Sequence, residues 1–198
     1  MPLTVTPVSG AALADVIPDL ARLRIRVFRD FPYLYQGTQA YEETYLRTLA
    51  QAPDALVVVA RGGGQVVGAS TALPLVHETP EVRAPFHAPE FDQARVLYLG
   101  ESVLLPEYRG QGVGHAFFDA REAHAARLGL DVTAFCAVQR PPDHPRRPTG
   151  YRPLDAFWQS RGYAERPDLT TVMHWPDPSE THDTPKPMRF WVRAAATP

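Results

Sequence analysis

Leu3-Thr4-Val5-Thr6-Pro7-Val8 alternates apolar and polar side chains with the period of a strand. Beyond Ser9-Gly10, the residues Leu13, Ile17, Leu20, Leu23 and Val27 fall on one face of a helix predicted over Ala11 to Phe28. Thr38 is placed to cap a second helix reaching about Ala52, with Tyr41, Tyr45 and Leu49 on one face, and Pro53-Asp54 ends it. The run Ala55 to Ala60, the turn Arg61-Gly62-Gly63-Gly64-Gln65 and the run Val66 to Leu73 predict an antiparallel hairpin. His77 to Phe91 has no clear period and reads as a loop with room for a helical turn, and Arg95 to Leu105 reads as a strand stopped by Pro106. The pattern from Gly112 to Leu128 predicts a helix with Val113, Phe117, Ala120 and Leu128 toward one side and Arg121, Glu122 and Arg127 mostly toward the other, capped by Gly129. Leu130 to Val138 reads as a buried strand. Pro141, Pro142, Pro145, Pro148 and Pro153 then forbid regular structure from Gln139 to Pro153. A short helix from Leu154 to Arg161 closed by Gly162, a strand from Leu169 to Trp175 and a last strand at about 188–193 complete the chain.

Composition narrows the class. The chain of 198 residues is 44% hydrophobic and 21% charged, near globular averages, and its 21 prolines stiffen loops without a low-complexity run. A formal net charge of -2, with the basic residues scattered, gives no surface for nucleic acid. The single Cys136 excludes an internal disulfide; set in an apolar strand it reads as core, and a cytoplasmic location is the simplest fit. Met1 to Val5 has no basic region ahead of an apolar core, and no stretch approaches the ~18 apolar residues of a membrane span, so no membrane partner is expected. No His-x-x-x-His pair occurs, and no metal is expected. Without a repeat or a linker, residues 1–198 are expected to form one domain.

The most informative segment is Leu97-Tyr98-Leu99-Gly100-Glu101-Ser102-Val103-Leu104-Leu105-Pro106-Glu107-Tyr108-Arg109-Gly110-Gln111-Gly112-Val113-Gly114, a strand, a tight turn and a helix start. Its glycines leave the backbone N–H groups open. At a helix N-terminus such groups lack intrahelical partners and carry the positive end of the dipole, which suits a phosphate. The spacing Arg109-x-x-Gly112-x-Gly114 fits neither the dinucleotide pattern nor the P-loop. Read alone, the same glycines also describe a structural turn without a ligand.

The segment Val103 to Gly114 resembles the central motif of the GCN-five-related N-acetyltransferases, the GNAT superfamily, Arg/Gln-x-x-Gly-x-Gly/Ala after the fourth strand. Phe157-Trp158-Gln159-Ser160-Arg161-Gly162-Tyr163 is similar to the family's later aromatic-x-x-x-Gly-aromatic element, and the order of elements also matches. The likeness is strongest over about 55–163. It implies an α/β fold: a mixed, mostly antiparallel twisted sheet with helices on both faces and a splay between the motif strand and the next.

The resemblance further implies an acyltransferase that uses acetyl-CoA or another acyl-CoA, transferring the acyl group to a primary amine, a small molecule or a peptide, in a ternary complex. The diphosphate would lie on Arg109, Gly110, Gln111, Gly112, Val113 and Gly114, and the pantetheine along Val103, Leu104 and Leu105. Glu101 is the implied base, with pairing to an arginine or exposure to solvent as its structural alternative. Phe31, Tyr33, Tyr35 and Tyr41, with Tyr45, Glu42 and Glu43, are candidate acceptor-side residues from the helices over about 11–52, although such aromatics also serve simply to pack helices on a sheet. Trp158 stands where relatives often have a proton-donating tyrosine, which leaves Tyr151, Tyr163 or water; a commonly found asparagine is missing, with Gln139 and His144 as candidate replacements or simply loop residues. The alternative reading is a non-catalytic acyl-CoA-binding or sensing module; phosphate or nucleotide binding without CoA is a weaker one. A homodimer is expected from family habit alone.

Overall fold

A computed structural model describes residues 3–194. Met1 and Pro2, at the start of the N-terminal reading, and the last residues of the expected 1–198 domain lie outside the described residues. The elements are β1 (Thr4–Ser9), α1 (Leu13–Phe28), α2 (Gln39–Gln51), β2 (Leu56–Gly62), β3 (Gln65–Pro74) and α3 (Pro80–Arg83). They continue as β4 (Val96–Tyr98), β5 (Ser102–Leu104), α4 (Val113–Leu128), β6 (Val132–Val138), α5 (Asp155–Ser160), β7 (Ala164–Trp175) and β8 (Thr184–Ala194). One mixed sheet runs β1-β2-β3-β4-β6-β8-β7, with β5 paired to β3. Only β4 and β6 are parallel, and every other pair is antiparallel.

Apolar residues cover both faces of the sheet. On one, Leu13, Ile17, Leu20 and Leu23 of α1 and Leu46 and Leu49 of α2 pack on Val57, Val59, Tyr98, Cys136 and Phe190. On the other, Val113, Phe117 and Phe118 of α4, with Phe157 and Trp158 of α5, pack on Val58, Leu97, Leu99, Phe135 and Trp191. Burial of this kind is worth about 25 cal/mol per Å² of apolar surface, so the sheet is held from both sides. No helix among the described residues is long and apolar enough to cross a membrane.

Three expectations change. The strand predicted from Arg95 to Leu105 is two strands. Tyr98 lies opposite Leu73 but Ser102 lies opposite Ser70, so Leu99, Gly100 and Glu101 oppose only Thr71 and Ala72, a β-bulge with one extra residue. Thr71 carries it: its N–H donates to the Glu101 carbonyl, its carbonyl accepts from the Gly100 N–H, and its hydroxyl accepts from the Glu101 N–H. A Cβ at Gly100 would sit 2.5 Å from that hydroxyl, which is why glycine stands there.

The face of α2 is the second change. Glu42, Leu46 and Leu49 are buried, whereas Tyr41 is 61% exposed. A pattern of apolar side chains alone misses a helix that turns a carboxylate inward. Arg121 is the third: expected on the outer side of α4, it is 1% exposed.

Candidate functional site

The bulge leaves β5 paired on one side. The β4–β6 ladder ends where the Leu99 N–H donates to the Ala134 carbonyl, and β5 pairs with β3 alone. Because the Leu105 N–H donates to the Val67 carbonyl, alternation along the strand turns the backbone groups of Val103 toward β3 and those of Ser102 and Leu104 away from it. An edge with outward N–H and C=O groups suits an extended amide chain.

This edge runs straight into the glycine turn. Pro106–Tyr108 form a single helical turn, and Gly110 and Gly112 adopt φ of 74° and 81°, the left-handed region that glycine enters most easily. Arg109 folds back so that its Nε donates to the Leu104 carbonyl at 3.3 Å. Gly112 precedes α4 without a side-chain cap, and the first helical bond comes from the Ala116 N–H. The N–H groups of Gly110 through His115 therefore have no partner among the described residues. Gly114 lies against the Phe157 ring, where a Cβ would come 3.4 Å from the nearest carbon, while Val113 is buried beneath the turn.

Glu101 sits at the bulge, 9% exposed, and turns toward α1. Arg24 of α1, absent from the sequence-based candidates, meets its Oε2 at 2.7 Å and also donates through Nε to Glu42. Glu101 Oε1 is buried with no hydrogen-bond partner among the described residues. The Arg24 guanidinium lies 5.1 Å from the Phe28 ring centroid and 4.8 Å from that of Tyr45, and Tyr35 donates its hydroxyl to Glu42 at 2.7 Å. Burial alone would lower the Arg24 pKa, but Glu101, Tyr45 and Glu42 outweigh it and push it up. Burial pushes the Tyr33 and Tyr45 hydroxyls up, so they stay neutral, and lifts Glu78 from 4.5 to about 7, with the charge of Glu101 adding to the rise. The cluster thus gathers the carboxylates of Glu101 and Glu42 on a single arginine, with Glu78 close enough to feel the charge of Glu101. Apolar periodicity carried no sign of Arg24, because an arginine at the margin of an apolar face looks solvated until its partners are known.

Phe31, Tyr33 and Tyr35 are brought together and Tyr41 is not. Tyr33 packs on Phe28 and Trp175, Tyr35 meets Trp175 edge-on, and Phe31 meets Tyr151 edge-on at 4.7 Å. Their loop is strapped from across the sheet. Arg140 donates to the Pro32 and Tyr33 carbonyls, each at 2.8 Å, and clamps Asp177 with two bonds, while the Trp175 indole donates to the Tyr33 carbonyl. Neither Arg140 nor Trp175 was singled out from sequence, since a contact across more than a hundred residues leaves no local pattern.

Trp158 lies in an aromatic stack with Phe135 and Trp191. Tyr163, 2% exposed on the α4 face, has its hydroxyl occupied by Thr133 at 2.9 Å and Glu122 at 3.2 Å, whereas Tyr151 lies edge-on to Phe31. Gln139 bonds to the Ala137 carbonyl, and His144 lies against Phe31. Cys136 is buried, 3.1 Å from the Tyr98 hydroxyl, and burial lifts its thiol to about 12, as suits a core residue. No group of three or more metal-binding side chains occurs among the described residues.

The fold has many solved counterparts. A ribosomal-protein-alanine N-acetyltransferase from Brucella melitensis is 15% identical, with a TM-score of 0.61 over 96% of this chain and 99% of its own. An acetyltransferase from Thermus thermophilus is 19% identical, with a TM-score of 0.57 over 98% and 97%. A GCN5-related N-acetyltransferase from Kribbella flavida is 18% identical, with a TM-score of 0.57 over 97% of each chain. These identities speak for the fold alone. No curated protein matches the chain by sequence. The acetyltransferase (GNAT) family matches over residues 20–148, taking in the C-terminal part of α1, the bulged strand and the glycine turn, and the chain belongs to that family as an N-acetyltransferase.

Proposed function

We propose that this enzyme takes the acyl group of acetyl-CoA, or of another acyl-CoA, and transfers it directly to a primary amine that is cationic in solution. One observation carries the reading: the outward edge of β5 leads, through the single helical turn Pro106–Tyr108, to the N–H groups of Gly110 to His115, which have no partner among the described residues. The diphosphate would rest on Arg109, Gly110, Gln111, Gly112, Val113 and Gly114, where the helix dipole favours anions. The pantetheine would pair with the backbone from Ser102 to Leu105, with Val103 and Leu105 packed behind it.

The acceptor would enter on the α1–α2 side. The carboxylates of Glu101 and Glu42 outnumber the one guanidinium of Arg24, and the ring faces of Tyr33 and Phe31 favour an ammonium group. Glu101 Oε1 would take the proton the amine must lose. The neutral amine nitrogen then bonds to the thioester carbonyl carbon, the C–S bond breaks with its electron pair leaving on sulfur, and the second proton that the nitrogen sheds in becoming an amide would reach that sulfur through Tyr151 or water. Holding both reactants in one site would supply much of the rate.

Calorimetric titration with acetyl-CoA, CoA and ATP tests this reading. Both CoA species should bind and ATP should not; absence of CoA binding overturns the proposal. With an amine panel, intersecting initial-rate lines support direct transfer and parallel lines exclude it, and binding without turnover on any amine would leave a sensing module.

A further inference from the structure

Arg121 is a buried cation without an anion. It projects from α4 under the bulge, where its Nε donates to the Phe117 carbonyl at 3.1 Å and its Nη1 to the carbonyls of Thr71 and Glu101, each at 3.4 Å. The Phe118 ring lies 4.7 Å from its guanidinium carbon. Nη2 is buried and has no partner, and no carboxylate pairs with the side chain among the described residues. Burial of an unpaired charge is costly, and a leucine or methionine would fill the same volume without that cost. The position of the charge is what distinguishes it.

The Glu101 carbonyl and the Ser102 N–H belong to one peptide unit. Arg121 bonds the carbonyl end from the α4 face, while the N–H end points away from β3 along the open edge of β5. A donor on the oxygen of an amide pulls electron density from its nitrogen and strengthens the N–H as a donor, more so where water is excluded. The same guanidinium bridges the Thr71 and Glu101 carbonyls and so adds to the Thr71 bonds that shape the bulge.

We propose that Arg121 is a positioning residue for acyl transfer: through the Glu101–Ser102 peptide it orients and polarises the Ser102 N–H, which in turn donates to the thioester carbonyl of the bound acyl-CoA. This rests on the acyl-CoA reading above. Negative charge develops on that carbonyl oxygen as the amine attacks, and a donor aimed there lowers the barrier. Arg121 touches neither reactant.

The test uses the whole protein, acetyl-CoA labelled with ¹³C at the carbonyl, and the variants Arg121→Met and Arg121→Gln. Infrared difference spectra read the thioester carbonyl stretch, which moves to lower frequency as its hydrogen bond strengthens. Wild type should show that shift on binding. Because the Thr71 N–H still donates to the Glu101 carbonyl, Arg121→Met should lose a measurable part of the shift while its melting temperature holds and its affinity for acetyl-CoA stays within about threefold, and Arg121→Gln, which can still donate one bond, should fall between. With an accepted amine, kcat should drop about tenfold, less than the hundredfold or more expected for removing a direct donor. A full carbonyl shift in whichever variant folds overturns the role of Arg121. Failure of wild type to bind acetyl-CoA at all overturns the acyl-CoA reading instead, so the two failures are told apart.

Discussion

Arg24 and Glu101 meet at 2.7 Å across the seam between α1 and the β4–β5 bulge, with side chains only 12% and 7% exposed. This pair joins the helix proposed to line the acceptor side to the strand edge proposed for the thioester. The second carboxylate on Arg24, Glu42, is fully buried, and Gly37 leaves it room, since a Cβ there would collide with both Glu42 and Tyr35. Burying ions costs several kcal/mol each, and such an arrangement persists only if every partner stays in place.

Arg24→Met should therefore be far more damaging than loss of a surface charge. It strands two buried carboxylates, and the expected destabilisation is about 3 kcal/mol or more, which for a chain of this size lowers the melting temperature by about 6–12 °C. Arg24→Met combined with Glu42→Gln should recover part of the loss, because one stranded charge is removed. Thermal denaturation of both variants checks this; equal melting temperatures for Arg24→Met and wild type would contradict it.

Glu101→Gln separates chemistry from binding. The amide keeps the shape of the side chain and can still accept from Arg24, but it takes no proton from an amine. Turnover should fall about 10²–10⁴-fold, the usual contribution of a positioned base, with acetyl-CoA affinity nearly unchanged. Steady-state rates beside calorimetry check both halves, and an unaltered kcat would assign the proton to another group.

Gly112→Asp addresses the anion site. Nothing lies within 4 Å of a Cβ built on Gly112, so the cost to folding is chiefly the strain of φ 81°, about 1 kcal/mol. The carboxylate would stand among the N–H groups proposed for the diphosphate, and acetyl-CoA binding should be abolished while the protein remains folded. Calorimetry with a circular dichroism control decides it.

What could be read from the residues alone follows from what is local. The period of α1, the Gly63-Gly64 hairpin, the Thr38 cap and the glycine turn are each encoded within a few neighbours, and these lie where the pattern put them. The bulge was hidden because it depends on a threonine thirty residues away: Thr71 supplies hydroxyl, N–H and carbonyl to Gly100 and Glu101. Arg24, Glu42 and Arg121 were hidden for a related reason. Each is a charged residue facing inward, and polarity at a position reads as solvent exposure until its partner from another element is known.

Glu78 predicts a pH dependence of stability. Burial lifts its carboxyl from 4.5 to about 7, so the folded state holds a proton that the unfolded chain releases. The stabilisation is complete below about pH 4.5, declines as pH rises, and is gone above about 7. Glu78→Gln should flatten that segment of the melting temperature profile and raise stability at pH 8 relative to wild type. Identical profiles for the two proteins would mean that Glu78 titrates as an ordinary surface carboxylate.

Arg140 offers the sharpest separation of acceptor from cofactor. Its side chain is 9% exposed and spans from the Pro32 and Tyr33 carbonyls to Asp177, so the loop carrying Phe31, Tyr33 and Tyr35 is held to the β7–β8 hairpin rather than to α4 or the glycine turn. Asp177 keeps Lys186 at 3.1 Å when Arg140 is lost, which limits the damage to about 1–3 kcal/mol, below that of a fully stranded ion. Arg140→Met should release the loop, raise KM for the amine about tenfold and leave the affinity for acetyl-CoA unchanged. Lys186 and Asp177 would still close the hairpin, so a parallel loss of acetyl-CoA binding would mean that the strap supports the cofactor side as well.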